Sequence, residues 1–282
     1  MKVREAFSHI KNLLAKVDSE RLETERLLAK ALGCTASELF QNENIDLTPK
    51  QVQWLEEAVV RRSNGEPLAY ILGTQGFYKH DFIVRPGVLI PRPETELIVE
   101  KAFHAFGKNP PALIADLGCG SGCIGISLLK EWPNAKLIAF DRSPIALEVA
   151  RENAKALKVD DRCKFIEGTV ESKPRREEFD LIVANPPYVD EADTRVEESV
   201  RKYEPREALF ASQNGLGAIF AWSEWASIAL KRGGVWIVEI GAGQSEPVKV
   251  KLDEIGFAKI DPETDLAGHV RIFSAQKPKL WH

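Results

Sequence analysis

Four consecutive residues, Asn185-Pro186-Pro187-Tyr188, have the groups needed to make a planar nitrogen act as a nucleophile. An amide or exocyclic amino nitrogen attacks poorly because its lone pair is delocalised into the adjacent π system. Acceptors on its two N–H groups draw electron density back onto nitrogen and fix the direction of attack. Asn185 Oδ1 and the Pro186 carbonyl are two such acceptors. Pro187 stiffens the turn through its fixed φ, and Tyr188 offers a flat face on which a planar group can stack. Against an electrophile as strong as a methyl sulfonium, positioning supplies much of the acceleration. The proton can leave once nitrogen has become cationic, so no strong base is needed early. Asn185, Pro186, Pro187 and Tyr188 are the candidate catalytic set.

A second cluster reads as a binding site. Asp116-Leu117-Gly118-Cys119-Gly120-Ser121-Gly122 follows an apolar run and opens a helix. Glycines at 118, 120 and 122 permit a tight turn and let backbone amides approach a ligand. The spacing is G-x-G-x-G and not the longer G-x-G-x-x-G that leads a pyrophosphate onto a helix. Asp116 ends its strand, where a carboxylate can accept from the amino-acid end of a ligand, directly or through water. Asp141 ends the next strand and is placed to bind both ribose hydroxyls, with Ser143-Pro144 capping the helix that follows. The loop Glu167-Gly168-Thr169-Val170 should lie beside an adenine ring. Together with the planar-nitrogen turn, this points to S-adenosyl-L-methionine in preference to NAD, with S-adenosyl-L-homocysteine as product. The candidate cofactor-binding residues are Asp116, Gly118, Cys119, Gly120, Ser121, Gly122, Asp141, Val170 and Asn185. The four cysteines, Cys34, Cys119, Cys123 and Cys163, form no Cys/His set with zinc spacing, so no metal is expected.

These residues must be positioned by a scaffold with two grammars. Residues 1–65 read as helices only. Val3, Phe7, Ile10 and Leu14 share one face, and Leu22, Leu28, Ala31 and Leu32 share another. Gly33 is a helix stop. Thr35 with Glu38, and Thr48-Pro49 with Gln51, are helix starts. Residues 66–90, punctuated by Gly73, Gly76 and Gly87, read as a hairpin linker around Phe77-Tyr78 and Phe82-Ile83-Val84. From residue 91 to 282, strand-like runs at 113–115, 137–140, 163–166, 181–184 and 235–239 alternate with helical stretches such as 145–157 and 218–230. Such alternation predicts an α/β domain, a mostly parallel sheet covered by helices on both faces.

Composition narrows the partners. The chain has 282 residues, 38 lysines and arginines against 42 aspartates and glutamates, and a formal net charge of −4. Nothing announces the basic face that grips phosphate, so direct nucleic-acid binding is not expected. No apolar run approaches the ~20 residues of a membrane span, and the N-terminus reads as an amphipathic helix and not as a signal peptide. A cytoplasmic protein is expected.

The stretches Leu89-Ile-Pro-Arg-Pro-Glu-Thr-Glu96, residues 116–122, Asn185-Pro-Pro-Tyr188, Tyr203-Glu-Pro205 with Ala208-Leu209, and Asp265-Leu-Ala-Gly268 with Arg271 resemble the HemK/PrmC family, the release factor glutamine N5-methyltransferases. The resemblance covers nearly the whole chain. It implies a Rossmann-like methyltransferase domain with a seven-stranded, mostly parallel sheet, preceded by a small helical domain and a hairpin linker. The implied reaction is methylation of the side-chain nitrogen of the glutamine in the Gly-Gly-Gln motif of class I peptide chain release factors, which tunes translation termination. On that reading Asn185 and Pro186 orient the glutamine amide, Tyr188 packs against it, and the N-terminal helices help hold the release factor body. Three alternatives differ in substrate or class. A ribosomal-protein glutamine methyltransferase would typically differ at residues 92–96. An adenine N6 methyltransferase shares the Asn-Pro-Pro-Tyr turn and acts on a flipped base, but would favour a basic surface. A non-catalytic adaptor would have no need of the intact turn. Thr169 and Asn214 stand where acids are common in the family. First principles give no specific job to Arg92 or Glu94.

Overall fold

Thr48 starts a helix as its spacing predicts. Its hydroxyl accepts from Gln51 N while Gln51 Oε1 accepts from Thr48 N at 2.8 Å, and Pro49 takes the first helical position. The computed structural model describes residues 1–15, 17, 19–39, 41, 43–168 and 176–279. In chain order the elements are α1 (Val3–Leu13), α2 (Glu20–Leu32), α3 (Ala36–Leu39), α4 (Pro49–Ser63) and α5 (Leu68–Leu72), then a hairpin of β1 (Thr74–Phe77) and β2 (His80–Ile83). There follow α6 (Glu96–Phe106), β3 (Leu113–Leu117), α7 (Cys123–Glu131), β4 (Lys136–Asp141), α8 (Pro144–Ala156), β5 (Cys163–Glu167) and β6 (Phe179–Ala184). The chain ends with β7 (Val189–Asp190), α9 (Glu198–Tyr203), α10 (Arg206–Leu209), β8 (Phe210–Ala211), α11 (Gly217–Ala229), β9 (Leu230–Glu239), α12 (Ser245–Glu254), β10 (Ala258–Thr264) and β11 (Val270–Gln276).

Two compact units result. The first comprises Met1–Thr74 together with Glu198–Tyr203. Val3, Ile10, Leu14, Leu27, Leu28, Leu55 and Val59 form its core. Gly33 ends α2 in the left-handed region at φ 68°. Arg62 of α4 grips Glu23 of α2 with both arms of its fork, at 2.6 and 3.0 Å, and Tyr203 Oη of α9 donates to the Asn64 carbonyl at 3.1 Å. Two sequence expectations change here. Leu22 is 54% exposed, because Thr24, Leu27 and Leu28 form the packed face of α2. Residues 68–72, expected within a hairpin linker, are helical and bury Leu68, Ile71 and Leu72 in this core. The two-stranded hairpin begins only at Thr74.

The second unit, Gln75–Glu197 with Glu204–His282, is built on a seven-stranded sheet of order β10-β11-β9-β6-β3-β4-β5. The five strands from β9 to β5 pair in parallel, and β11 and β10 are added antiparallel. Both faces are covered, so alternate residues of one strand enter different cores. Ile114, Leu181, Val183 and Ile237 face α6, α7 and α8, while Ala115, Ile182, Ala184 and Val238 face α11 and α12. The five parallel strands are those the apolar runs marked. Single-sequence periodicity did not mark β10 or β11. The edge strand β10 is mostly exposed, carries Pro262, and departs from regular register.

Chain order reverses beside β3: β4 lies on one side and β6 on the other. In open α/β sheets, the crevice outside the carboxyl strand ends at such a point is where ligands bind.

Candidate active site

Leu117 of β3 pairs with Phe140 of β4 and Ala184 of β6. Gly118, Asp141 and Asn185 therefore leave three adjacent strand ends side by side. Gly118 and Gly122 are irreplaceable on two counts. Their φ values are +66° and +80°, and an added Cβ would stand 2.5 Å from the Trp222 ring or 2.7 Å from Ile126 Cδ1. At Gly120 the same atom would meet nothing within 4 Å, which leaves space beside the loop. Cys119 N donates to the Phe140 carbonyl at 2.9 Å, fastening the loop to β4. Beneath it, the buried Asn153 amide accepts from Ile83 N and donates to the Ile83 and Ser121 carbonyls, at 2.7, 3.0 and 2.9 Å.

Asp141 accepts from Gly120 N through Oδ2 and from Ser143 N through Oδ1, both at 2.9 Å. Burial pushes its carboxyl up, while the amides of Ser143, Gly120 and Arg142 favour its charged form. Each oxygen keeps a lone pair for a further donor. Asp141 lines a cavity of ≈ 440 Å³ together with Gly118, Cys119, Gly120, Ser121, Asn185 and Trp222, within the size range of small-molecule sites. A concave wall, a carboxylate with spare acceptor capacity and an open glycine fit an adenosyl cofactor.

Asp116 is held differently from Asp141. The strand runs on to Leu117, and Asp116 is 0% exposed beneath the loop, outside the cavity wall. Its Oδ2 accepts from Gly125 N in the first turn of α7 at 3.0 Å, and its Oδ1 meets no donor among the described residues. Burial pushes this carboxyl up to about 7. Asn185 and Pro187 line the cavity on either side of the buried Pro186. Val170, like Thr169, lies outside the described residues. Burial raises the Cys119 thiol and takes that of Cys123 up to about 12, so both are inert packing groups. No group of His, Cys, Asp or Glu among the described residues is arranged to hold a metal.

At the chemical end, Asn185 Nδ2 donates to Thr95 Oγ1 at 3.1 Å, and Thr95 is 2% exposed. The amide nitrogen is thereby committed to the protein, which leaves Oδ1 as the acceptor. Tyr188 Oη donates to Glu239 Oε1 at 3.0 Å. Glu239 ends β9 and is 1% exposed, and the Ala184–Val238 pairing sets it beside Asn185. Burial pushes the Glu239 carboxyl up to about 7, against the Thr95 and Tyr188 hydroxyls. Exposed Glu94 pushes it further up and Arg271 opposes. The Tyr188 hydroxyl is raised above the ordinary phenol range by burial and by Glu239. Its carbonyl accepts from Gln244 Nε2 at 3.0 Å, and a Cβ at Gly215 would come 2.1 Å from that carbonyl oxygen. The tyrosine is thus fastened at both ends, and its ring packs in the apolar cluster with Phe220 and Trp222.

Arg92 has a job that sequence reasoning could not supply. Its guanidinium pairs with Glu204, whose side chain is buried and whose other oxygen accepts from Ile90 N at 3.0 Å. Residues 90–92 are so tied to the bend before α10. Asp265 closes the β10–β11 turn, accepting from Ala267 N and His269 N through Oδ1 and from Arg271 Nε through Oδ2. Thr95 and Glu204 lay in stretches that carried the resemblance but had no role assigned to them, and Trp222 carried no signal beyond its type. Glu239 carried one: an acid at the carboxyl end of a strand, the same signal that marked Asp116 and Asp141.

Comparison with known proteins agrees with this geometry. The PrmC N-terminal domain model matches residues 5–73, and the Methyltransferase small domain model matches residues 95–202. A release factor glutamine methyltransferase of Koribacter versatilis is 37% identical over 281 residues, 99% of each chain. That of Geobacter sulfurreducens is 38% identical over 274 residues, 96% of this chain and 95% of that one. Among solved structures, a methyltransferase from Pyrococcus furiosus aligns with a TM-score of 0.54 at 16% identity, covering 81% of this chain and 98% of that one. That likeness concerns the fold alone.

Proposed function

The chain belongs to the release factor glutamine methyltransferase family, and we propose that it methylates the side-chain amide nitrogen of the glutamine in the Gly-Gly-Gln motif of class I peptide chain release factors. The cofactor, S-adenosyl-L-methionine, supplies an electrophilic methyl sulfonium when bound. Asp141 accepts from the ribose hydroxyls with the lone pairs its backbone partners leave free. Gly118, Gly120 and Trp222 shape the wall that would hold the cofactor. Asn185 Oδ1 and the Pro186 carbonyl accept the two N–H groups of the glutamine amide and aim its nitrogen. When bound, the cofactor would give its methyl group to that nitrogen and become S-adenosyl-L-homocysteine, and the nitrogen would lose one N–H proton to water.

The observation that carries this reading is the Asn185–Thr95 hydrogen bond. It spends the donor end of the amide on the protein and turns the acceptor end towards whatever nitrogen enters the cavity. Among the described residues no helix is long and apolar enough to cross a membrane, and action on release factors supports a cytoplasmic location. The helices of residues 1–65 hold the release factor body.

The test is transfer of labelled methyl to a purified, unmodified class I release factor, with a Gln→Ala change in its Gly-Gly-Gln motif as control. Label on the unchanged factor alone is expected. Label on purified ribosomal protein or on a hairpin RNA, with none on the release factor, would overturn the assignment.

A further inference from the structure

We propose that Gln244 is a positioning residue for amide methylation: its side-chain amide fixes the Tyr188 carbonyl, and with it the direction in which the Pro186 carbonyl faces the target nitrogen. The proposal rests on the reaction just described and concerns a residue outside the Asn185–Tyr188 turn. That turn cannot hold its own middle. Pro186 and Pro187 have no N–H, so no acceptor elsewhere in the protein can grip them by a backbone hydrogen bond. The Pro186 carbonyl therefore takes its direction from the two ends. At the first end Ala184 pairs with Leu117 and Val238, and Asn185 is tied to Thr95. At the second end stands Tyr188, whose hydroxyl reaches Glu239 and whose carbonyl reaches Gln244.

The two anchors of Tyr188 do different work. Its hydroxyl lies at the far end of the ring, with rotatable side-chain bonds between it and the main chain. The carbonyl anchor acts on the main chain itself. Gln244 Nε2 donates to the Tyr188 carbonyl at 3.0 Å and to the Asn214 carbonyl at 3.3 Å, and Gln244 Oε1 accepts from Gly241 N at 2.8 Å. Both amide hydrogens and an oxygen lone pair are used. Only this sense of the amide works, because the reverse would set its oxygen against two carbonyls.

The surroundings make room for this contact. A Cβ at Gly241 would stand 3.0 Å from Gln244 Oε1 and 3.2 Å from Tyr188 Cδ2. One at Gly215 would stand 2.8 Å from Gln244 Nε2 as well as against the Tyr188 carbonyl. Gln213, Asn214 and Gly215 are all left-handed, at φ 55°, 56° and 82°, a run that is unfavourable for residues with a side chain. The same loop supplies Ser212 and Gly217 to the cavity wall, and β8 just before it pairs with β7 just after Tyr188. One side chain at the start of α12 thereby joins the acceptor turn, the loop before α11 and the turn after β9.

The experiment compares full-length wild type with Gln244→Ala, Gln244→Glu and Gln244→Met. Glutamate keeps the size and the acceptor for Gly241 N but, when ionised, has no hydrogen to give, and methionine keeps the length with neither function. Methyl transfer to unmodified class I release factor is measured at saturating cofactor, and cofactor Kd by calorimetry. Gln244→Ala and Gln244→Met should lower kcat about tenfold. Gln244→Glu should lose at least as much, because its carboxylate faces two carbonyls. In each, the KM for release factor and the cofactor Kd should stay within about threefold, less than one hydrogen bond is worth. Wild-type kcat in Gln244→Glu would mean that size and the Gly241 bond suffice, and overturns the proposal. Equal losses in kcat and cofactor affinity would mean a general disturbance of the site, and overturn it too. Should Gln244→Glu fail to fold, Gln244→Met decides alone, a wild-type kcat there being fatal. If the wild type labels no release factor, the reaction is misassigned and the proposal falls with it. If it does and the variants match it, only the role of Gln244 falls.

Discussion

Asp141 and Glu239 are both acids at the carboxyl end of a parallel strand, and the protein holds them in opposite ways. Asp141 is satisfied by backbone amides, one from the glycine loop of the neighbouring strand and one from two residues further on. Glu239 is held by a side chain from a distant segment, Tyr188 after β6, on one oxygen, while its other oxygen meets no donor among the described residues. The cofactor end therefore comes ready-made with the strand–loop–helix units that form it. The chemical end exists only once several parts of the chain have met. A backbone-held carboxylate is tolerant of neighbouring substitutions, whereas the other depends on each partner.

The contrast can be broken or sharpened by substitution. Asn185→Ala should produce the largest effect, lowering kcat by about 10²- to 10³-fold while cofactor Kd in calorimetry changes by less than about threefold. A matched loss in both would mean that Asn185 holds the cofactor and not the target. Asp141→Ala should do the reverse, raising cofactor Kd by about 10- to 100-fold through two lost hydrogen bonds to a charged group, with kcat at saturation little altered. An unchanged Kd would remove the ribose assignment. Asn153→Ala strips three buried hydrogen bonds that join the hairpin to the glycine loop. Urea unfolding should show a loss of about 2 kcal/mol or more, and a loss within error would mean that water replaces the amide.

The smallest effect concerns the third strand-end acid. Asp116 is raised to about 7 in the folded protein by burial, so folding takes up a proton between the ordinary carboxylate range and about pH 7. The stability it lends is present below that window and lost as pH rises through about 7. Relative to Asp116→Asn, the melting temperature of the wild type without cofactor should fall by about a few degrees between pH 5 and 8. Parallel melting curves for the two proteins would show that Asp116 is ionised throughout.

Legibility in the sequence follows the same divide. Gly33, Thr48 with Gln51, and the five parallel strands were readable because each depends on residues within one turn or one strand. The place of the glycine loop and of Asp141 at adjacent strand ends was readable for the same reason. Asp116 was identified as an acid near a strand end, but strand periodicity does not report that Gly125 N takes one of its oxygens. The fastening of the Tyr188 hydroxyl to Glu239 and of its carbonyl to Gln244 was not legible either. The Arg92–Glu204 pair and the Thr95–Asn185 bond join residues about a hundred positions apart, and no local rule reports such a meeting. Leu22 was misplaced because alternative helical faces of α2 differ little in apolar content until the neighbouring helices choose one.

The return of the chain to the helical unit through α9 has a consequence for synthesis. That unit is closed by Glu198–Tyr203, which leaves the ribosome only after β3, β4, β5 and β6 have been made. Domains generally fold as units, the N-terminal ones first, while the chain is still emerging. Here the first unit to emerge is the one that must wait, its last helix arriving after the glycine loop and the Asn185 turn are already outside. Its completion and the growth of the sheet are interleaved in time, and a fragment ending at residue 74 would lack the tyrosine that reaches Asn64.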